Sequence, residues 1–361
     1  MGTLPQPAST YVAEAPVEVS ILPECDKQIW DRYVEAHPDG SFFHLYGWGE
    51  VVQSTYGYEP VYLVARRGGH VVGLAPFIDV KAPLLGRSLI STAFTVGGGP
   101  LGDDQSVIDE LGRAVVRVGE TRKVQYIEIR ENNLELDDWQ LKSGKHAEFS
   151  LDIPSDLDVH LKSVPRKRRA DLRKALAMGE AGDLQLRYED DVDSFYSLYA
   201  RSLRRLGTPV MPKKFLRELL RVFGNRVDMS FVDHKGECVA GLFSFHFKDR
   251  ALPYYVGMAP GSRECRAHDF IYWSAMRRAI SLGHSVFDFG RSKIDSGPYK
   301  YKKLWGAEPQ PVIYQCKLVR ATEAPDVNPN NPKFYYFAQA WKKLPLPLAN
   351  TVGPILAPNF P

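Results

Sequence analysis

Two stretches of this chain read alike: Val64-Ala65-Arg66-Arg67-Gly68-Gly69-His70-Val71-Val72-Gly73-Leu74-Ala75-Pro76-Phe77 and Val232-Asp233-His234-Lys235-Gly236-Glu237-Cys238-Val239-Ala240-Gly241-Leu242-Phe243-Ser244-Phe245. At one constant spacing, Val64, Gly68, Val71, Gly73, Leu74 and Phe77 match Val232, Gly236, Val239, Gly241, Leu242 and Phe245. Each stretch is an apolar run, a short glycine turn and a second apolar run, which predicts an antiparallel hairpin. The same spacing pairs Trp48, Glu50, Val51 and Val52 with Leu216, Glu218, Leu219 and Leu220, in a helical pattern ahead of each hairpin. At a spacing eight residues shorter, Val96, Gly97 and Pro100 match Val256, Gly257 and Pro260. Helical patterns follow over about 107–120 and 268–282, and each leads to a short strand with a central acid, Ile127-Glu128-Ile129 and Phe287-Asp288-Phe289.

The order helix, helix, hairpin, strand, helix, strand therefore occurs twice. A strand followed by a helix and a parallel strand forms a right-handed crossover. With an antiparallel hairpin in front, each half is a mixed α/β sheet flanked by helices. A doubly wound nucleotide-binding domain is the rival, but it needs more strand–helix alternation. Gly97-Gly98-Gly99-Pro100 is not followed by Gly-Lys-Ser/Thr, so it reads as a strand-end turn rather than a phosphate loop. The expected layout is a flexible 1–15, a first domain over 16–150, a second over 151–320, and a tail over 321–361.

At 361 residues the chain suits two domains. Its net charge of +3 implies no general nucleic-acid-binding surface, so any such surface is a local patch. The four cysteines (Cys25, Cys238, Cys265, Cys316) form no close pair, which fits a reduced, cytoplasmic setting. The first 15 residues lack the apolar core of a signal peptide, and no apolar run approaches the ~18 residues that span a bilayer. The nine histidines show no His-x-x-x-His spacing, so no metal is expected. A Gly-x-Ser-x-Gly elbow for a nucleophilic serine is absent as well.

The segment Phe287-Asp288-Phe289-Gly290-Arg291-Ser292, with Gly297-Pro298-Tyr299-Lys300-Tyr301-Lys302 and Trp305-Gly306-Ala307-Glu308-Pro309 after it, has the character of a site. In an open α/β sheet, groups just past the carboxyl end of a strand face the ligand crevice. Together with Gly207-Thr208-Pro209-Val210 and Tyr272-Trp273, these motifs resemble the FemAB-related proteins of the exosortase/PEP-CTERM exopolysaccharide group. The resemblance covers roughly 41–317 and is densest from Tyr254 onward. It implies tandem duplicated GNAT-like acyltransferase domains, here without a long coiled-coil insertion. It also implies transfer of an acyl or aminoacyl group to an amine of a peptidoglycan, cell-envelope or exopolysaccharide precursor, in the cytoplasm near the inner membrane.

Amide formation passes through a tetrahedral oxyanion that needs a fixed positive charge or donor. The resemblance assigns that role to Lys302, although Lys300 and Lys303 beside it admit a solvated-lysine reading. Arg291 suits bidentate capture of a phosphate or carboxylate, with an ion pair to Asp288 or Asp295 as its competing role. Asp288 is expected to accept the proton of the attacking amine or to orient Arg291. Ser292, Tyr299, Tyr254, Tyr255 and Trp305 complete the expected substrate-binding set, the aromatics being equally suited to a core.

The donor is expected to be aminoacyl-tRNA or an acyl-CoA or acyl-carrier thioester, with no bound cofactor. The usual Arg/Gln-x-x-Gly-x-Gly/Ala cradle is missing over 263–269, where Asp269 would oppose a phosphate. From Lys162 to Lys174 there are seven Lys/Arg against Asp171 alone, along a helical apolar stripe. Arg166, Lys167, Arg168, Arg169, Arg173 and Lys174 are thus expected to bind tRNA phosphates, a lipid-linked pyrophosphate or an anionic membrane. The aromatic segment over 333–344 suits either a membrane interface or packing back onto the first domain. A reading from another class is a non-catalytic assembly factor for polysaccharide export.

Overall fold

The computed structural model describes residues 15–23, 26–83, 86–130, 136–323 and 332–361. Residues 1–14 of the expected flexible segment and 324–331 of the expected tail, together with Cys25, lie outside the described residues. The first half runs β1 (Val17–Ile21), α1 (Lys27–Ala36), α2 (Gly47–Tyr56), β2 (Glu59–Arg67), β3 (His70–Ala82), β4 (Gly86–Ser91), β5 (Leu101–Gly102), α3 (Gln105–Arg122), β6 (Tyr126–Ile129) and β7 (Gln140–Lys142). Then come β8 (His146–Asp152), α4 (Leu157–Ser163), α5 (Arg166–Glu180), β9 (Leu184–Tyr188), α6 (Val192–Leu206), α7 (Lys213–Phe223), β10 (Val227–His234), β11 (Glu237–Phe247) and β12 (Arg250–Met258). The second half closes with α8 (Ala267–Ser281), β13 (Val286–Lys293), α9 (Gly297–Lys303), β14 (Glu308–Pro311) and β15 (Tyr314–Leu318), and the tail forms α10 (Pro332–Lys343) and α11 (Leu346–Leu356).

The repeated order expected from the sequence is present, and it builds two mixed sheets of matching plan. One runs β1-β2-β3-β4-β6-β15-β7, with β5 on β3, and the other β9-β10-β11-β12-β13-β8-β14. The strand beside the parallel pair is exchanged. β8, which follows the first half, lies antiparallel between β13 and β14, whereas β15, which follows the second, lies between β6 and β7. A division at 150/151 therefore cuts through β8, and the described chain crosses between sheets near 142–146 and again near 311–314.

The register of the duplication differs by one residue from the sequence match. The turn Gly68-Gly69 corresponds to Lys235-Gly236, and the bulge at Val72 to the bulge at Val239. The sequence match instead set Val71 against Val239. One residue of slip reverses which face every side chain takes, and the core follows the structural register: Val64 and Phe231 both enter the central cluster. Val96 and Gly97 also do not share a strand position with Val256 and Gly257, because the first-half strand is β4 and 92–100 is a loop beyond it.

The central cluster binds the halves together through aromatic residues. Phe42 stacks on Phe245 at 4.4 Å and meets Phe223 at 4.4 Å, while Trp48 of α2 meets Phe215 of α7 edge-on at 5.8 Å. Such pairs add to the stabilisation from burying large apolar surfaces. The tail docks mainly on α6 of the second half rather than on the first alone. A Cβ at Gly207 would meet Ala338, Arg204 donates to the Leu344 carbonyl at 2.6 Å, and Trp341 is buried. It reaches the first half where Tyr58 donates to the Pro358 carbonyl and Arg130 to that of Pro361.

A fragment of residues 1–155 retains β8 without its sheet and leaves β6 without β15. It is expected to lack a cooperative melt by near-ultraviolet circular dichroism and to bind a hydrophobic dye; a sharp melt of the fragment alone would refute the dependence on strand exchange.

Candidate active site

The second sheet opens where the first stays closed. β12 and β13 pair in parallel only at Arg250↔Val286 and Ala251↔Phe287, and then separate. A bulge leaves Tyr254 as the extra residue of β12, and another leaves Phe289 as that of β13. Pro253 removes an N–H beside the first bulge. Bulges bend strands and re-aim side chains, and these two lie on the two strands that border the gap. In the first half the pair β4–β6 is regular over three positions, and Glu128 is consumed by Arg130 at 3.1 Å and Lys142 at 3.5 Å.

Gly290, directly after the second bulge, has φ +64°. In a regular strand successive carbonyls point to opposite edges. Here both the Gly290 and the Arg291 carbonyls accept from Lys302 Nζ, at 2.9 and 3.1 Å. Lys302 is delivered by α9, a short helix capped by Ser296, whose Oγ accepts from the Tyr299 N–H at 3.3 Å. Its side chain is 6 % exposed and passes the Phe149 ring. Burial brings its pKa down to about 8 against the opposing pull of Asp288 and Glu148.

Asp288 accepts from the Gly290 N–H at 2.7 Å, and burial raises its pKa, with Gly290, Arg250 and Lys302 acting in the other direction. The expected role of orienting Arg291 is not realised through this bond: Arg291 donates to the Tyr314 hydroxyl at 2.5 Å, on the exchanged strand β15.

Two cavities flank the gap, and Val96, Tyr254 and Gly290 line both. The larger, about 850 Å3, is lined by Tyr255, Arg291, Ser292 and Lys302, together with Arg205, Arg263 and Lys293. Ser292 is buried, and its hydroxyl has no partner among the described residues. Burial and the neighbouring cations lower the pKa of His146 to about 4 and of His268 to about 3, so both line this cavity uncharged at neutral pH. The smaller, about 500 Å3, has Asp288, Glu148, Asp39 and Asp104 on its lining with Arg130 and Arg250.

Other expected residues lie elsewhere. Trp305 is fully buried behind Phe289 and Tyr301, and Tyr299 packs edge-on against Phe149; neither lines these two cavities. Arg168 is a correction to the expected basic patch. It is buried between the Tyr301 and Trp305 rings, bonded to Asp269 and to the Tyr301 hydroxyl at 2.6 Å. A buried cation keeps its charge only with such a partner, so Arg168 is not available to an external anion. The same pair neutralises Asp269 at the start of α8, removing the repulsion anticipated there. Arg166, Lys167, Arg173 and Lys174 are exposed, and the half-buried Arg169 donates to the Lys162 carbonyl at 3.0 Å. Sequence reasoning missed Glu148, Tyr314 and the 92–100 loop, since only strand exchange and the meeting of the halves bring them here; it also missed Arg205, which α6 presents beside β12 within the second half. Arg130 alone had a signal, two residues past the acid that matches Asp288.

Residues 166–303 match the family model of the acetyltransferase (GNAT) domain. The whole chain shows a tandem GNAT-like fold. FemX superposes with a TM-score of 0.65 at 14% identity, over 84% of this chain and 98% of that one. A tandem GNAT protein from the clavulanic acid biosynthesis pathway gives 0.54 at 11% identity, over 84% and 98%. The C-terminal domain of a putative lysylphosphatidylglycerol synthetase from Agrobacterium fabrum gives 0.52 at 12%, over 91% and 96%. No curated protein sequence matches the chain. The domain match and the fold support an acyltransferase.

Arg168→Ala leaves Asp269 buried and unpaired and is expected to cost about 3–5 kcal/mol in denaturant unfolding. An unchanged midpoint would return Arg168 to the surface patch. Gly290→Ala has room for its Cβ but not for its backbone angle, so a loss of about 1–2 kcal/mol is expected; a neutral effect in the same assay would show that Gly290 is not held left-handed.

Proposed function

We propose that the protein is an N-acyltransferase that joins an acyl group, carried on an anionic donor in the larger cavity, to an amine entering from the smaller one. The observation that carries this reading is the opposite polarity of two cavities meeting at Gly290. The larger is lined by Arg205, Arg263, Arg291, Lys293 and Lys302 against one carboxylate, Glu264, and the smaller by four carboxylates against two arginines. Fields of opposite sign favour an anionic carrier on one side and a cationic amine on the other.

Asp288 takes the proton that keeps the acceptor an ammonium, its raised pKa suiting it to act as a base. The freed amine attacks the carbonyl carbon and a C–N bond forms. Negative charge gathers on the former carbonyl oxygen opposite the Lys302 ammonium, which is already held by two backbone carbonyls and so needs little reorganisation. Collapse breaks the bond to the carrier, and the leaving thiol or hydroxyl departs with the second amine proton. Arg291, fixed by Tyr314, binds the carrier's anionic group, with the unpartnered Ser292 hydroxyl beside it.

The acceptor we favour is an amine of a cell-envelope or exopolysaccharide precursor, handled at the cytoplasmic side of the inner membrane. The FemAB-like motifs and the likeness to FemX and to a lysylphosphatidylglycerol synthetase domain support it. No described helix is long and apolar enough to cross a membrane. The exposed Arg166, Lys167, Arg173 and Lys174 of α5 would contact a large anionic carrier or lipid headgroups.

Lys302→Met is expected to lower the rate of label transfer to an amine roughly 100- to 1000-fold while the melting profile stays that of the parent; full transfer by this variant would remove Lys302 from the chemistry. The charged lysine is lost as pH rises through about 8, and the basic form of Asp288 is lost as pH falls through its raised pKa. kcat/KM should therefore fall on both sides, with the alkaline limb near pH 8. A profile flat from pH 7 to 10 would contradict the role of Lys302.

A further inference from the structure

The larger cavity is not only cationic. Phe94 and Val96 from the loop of the first half, Leu203 from α6 and Tyr254 from β12 are apolar side chains only partly buried against the central core, and all four line it. Met258 and Phe289 line it too, as members of the second-half core. The cations have a different distribution: Arg205, Arg263 and Lys293 are exposed, whereas Arg291 and Lys302 stand at the gap. About 850 Å3 lies near the upper end of the usual range for small-molecule sites, which leaves room for an acyl chain beside the reacting end of its carrier.

Charge narrows the occupant further. An aminoacyl donor carries an ammonium beside the reacting carbonyl, which here would lie next to Lys302 and Arg291. Among the described residues lining this cavity, the one carboxylate is Glu264, exposed in the turn before α8. An uncharged chain meets no such penalty and would remove the exposed faces of Phe94, Val96, Leu203 and Tyr254 from water, which favours each added methylene.

Building on the acyl-transfer reading, we propose that the donor is an uncharged acyl chain of several carbons, carried as a thioester on a phosphorylated carrier, with Phe94 and Val96 of the first half forming part of the chain's wall. The transfer is balanced as above: the thioester C–S bond breaks, the amide C–N bond forms, and the carrier leaves as a thiol. The first half thereby selects the acyl group, although the reacting residues Lys302 and Asp288 belong to the second.

The test is calorimetric titration of the full-length protein with CoA, acetyl-CoA and octanoyl-CoA, and with octanoyl-loaded acyl carrier protein as a separate arm. Octanoyl-CoA is expected to bind at least 10-fold more tightly than acetyl-CoA. Val96→Asp and Leu203→Asp, each first shown to be folded by circular dichroism, are expected to remove that gain. Tight binding of only the loaded carrier protein would also support the proposal and name the carrier. Equal affinities for all three CoA species and no binding of the loaded carrier, or a gain untouched by both substitutions, would overturn it, as would tight binding of aminoacyl-tRNA in their place. Because binding is read without turnover, octanoyl binding with no transfer to any amine would sink the proposed reaction and leave this assignment standing.

Discussion

The exchange of β8 and β15 is the constraint on which the rest of the molecule depends. Each sheet receives the strand beside its parallel pair from the stretch that follows the other half, so neither half has a complete sheet of its own. The edge left by removing either strand would be a row of unpaired backbone donors and acceptors, which is costly when buried. The aromatic cluster around Phe42, Trp48, Phe215 and Phe245 fills the seam that this exchange creates. Two similar folding units are thereby made into one body with an inside surface that neither would possess alone.

The site lies on that seam. β15 brings Tyr314 to Arg291, β8 brings Glu148 and Phe149 to the neighbourhood of Lys302, and the loop after β4 lines both cavities. Two bulges and a left-handed glycine then turn an ordinary parallel pair into a gap with a lysine anchored at its edge. The first half shows the alternative outcome of the same plan. Its parallel pair has no bulge in the neighbouring ladders, and Glu128, Arg130 and Lys142 satisfy one another where the second half keeps Asp288 facing a cavity. The first half has no such gap of its own, and its loop after β4 lines the two cavities of the second instead.

Electrostatics in the second half divides into structural and functional parts. Arg168 and Asp269 form a buried pair that holds α5 against α8 and α9, and their charges cancel locally. Lys302 has no such ion-pair partner among the described residues; its nitrogen is held by carbonyl dipoles, and burial presses it toward neutrality. A cation kept in place but incompletely compensated is suited to meet a negative charge that exists only transiently.

The amino-acid sequence by itself determined the double occurrence of helix, helix, hairpin, strand, helix, strand, because hydrophobic periodicity and glycine turns are local properties. It also marked the neighbourhood of Asp288, Gly290, Arg291 and Lys302, which lie close together along the chain. It misjudged the hairpin register by one residue, since glycine matches weigh the turn and not the face each side chain takes. Arg168 looked like its neighbours in a basic run, and only the packing of α5 on α8 distinguishes it. The strand exchange, the two bulges, and the recruitment of Phe94, Val96, Glu148 and Tyr314 were decided by tertiary structure alone. Each joins residues far apart in the chain, and the energy that selects such contacts comes from burial and backbone pairing that exist only once both sheets have formed.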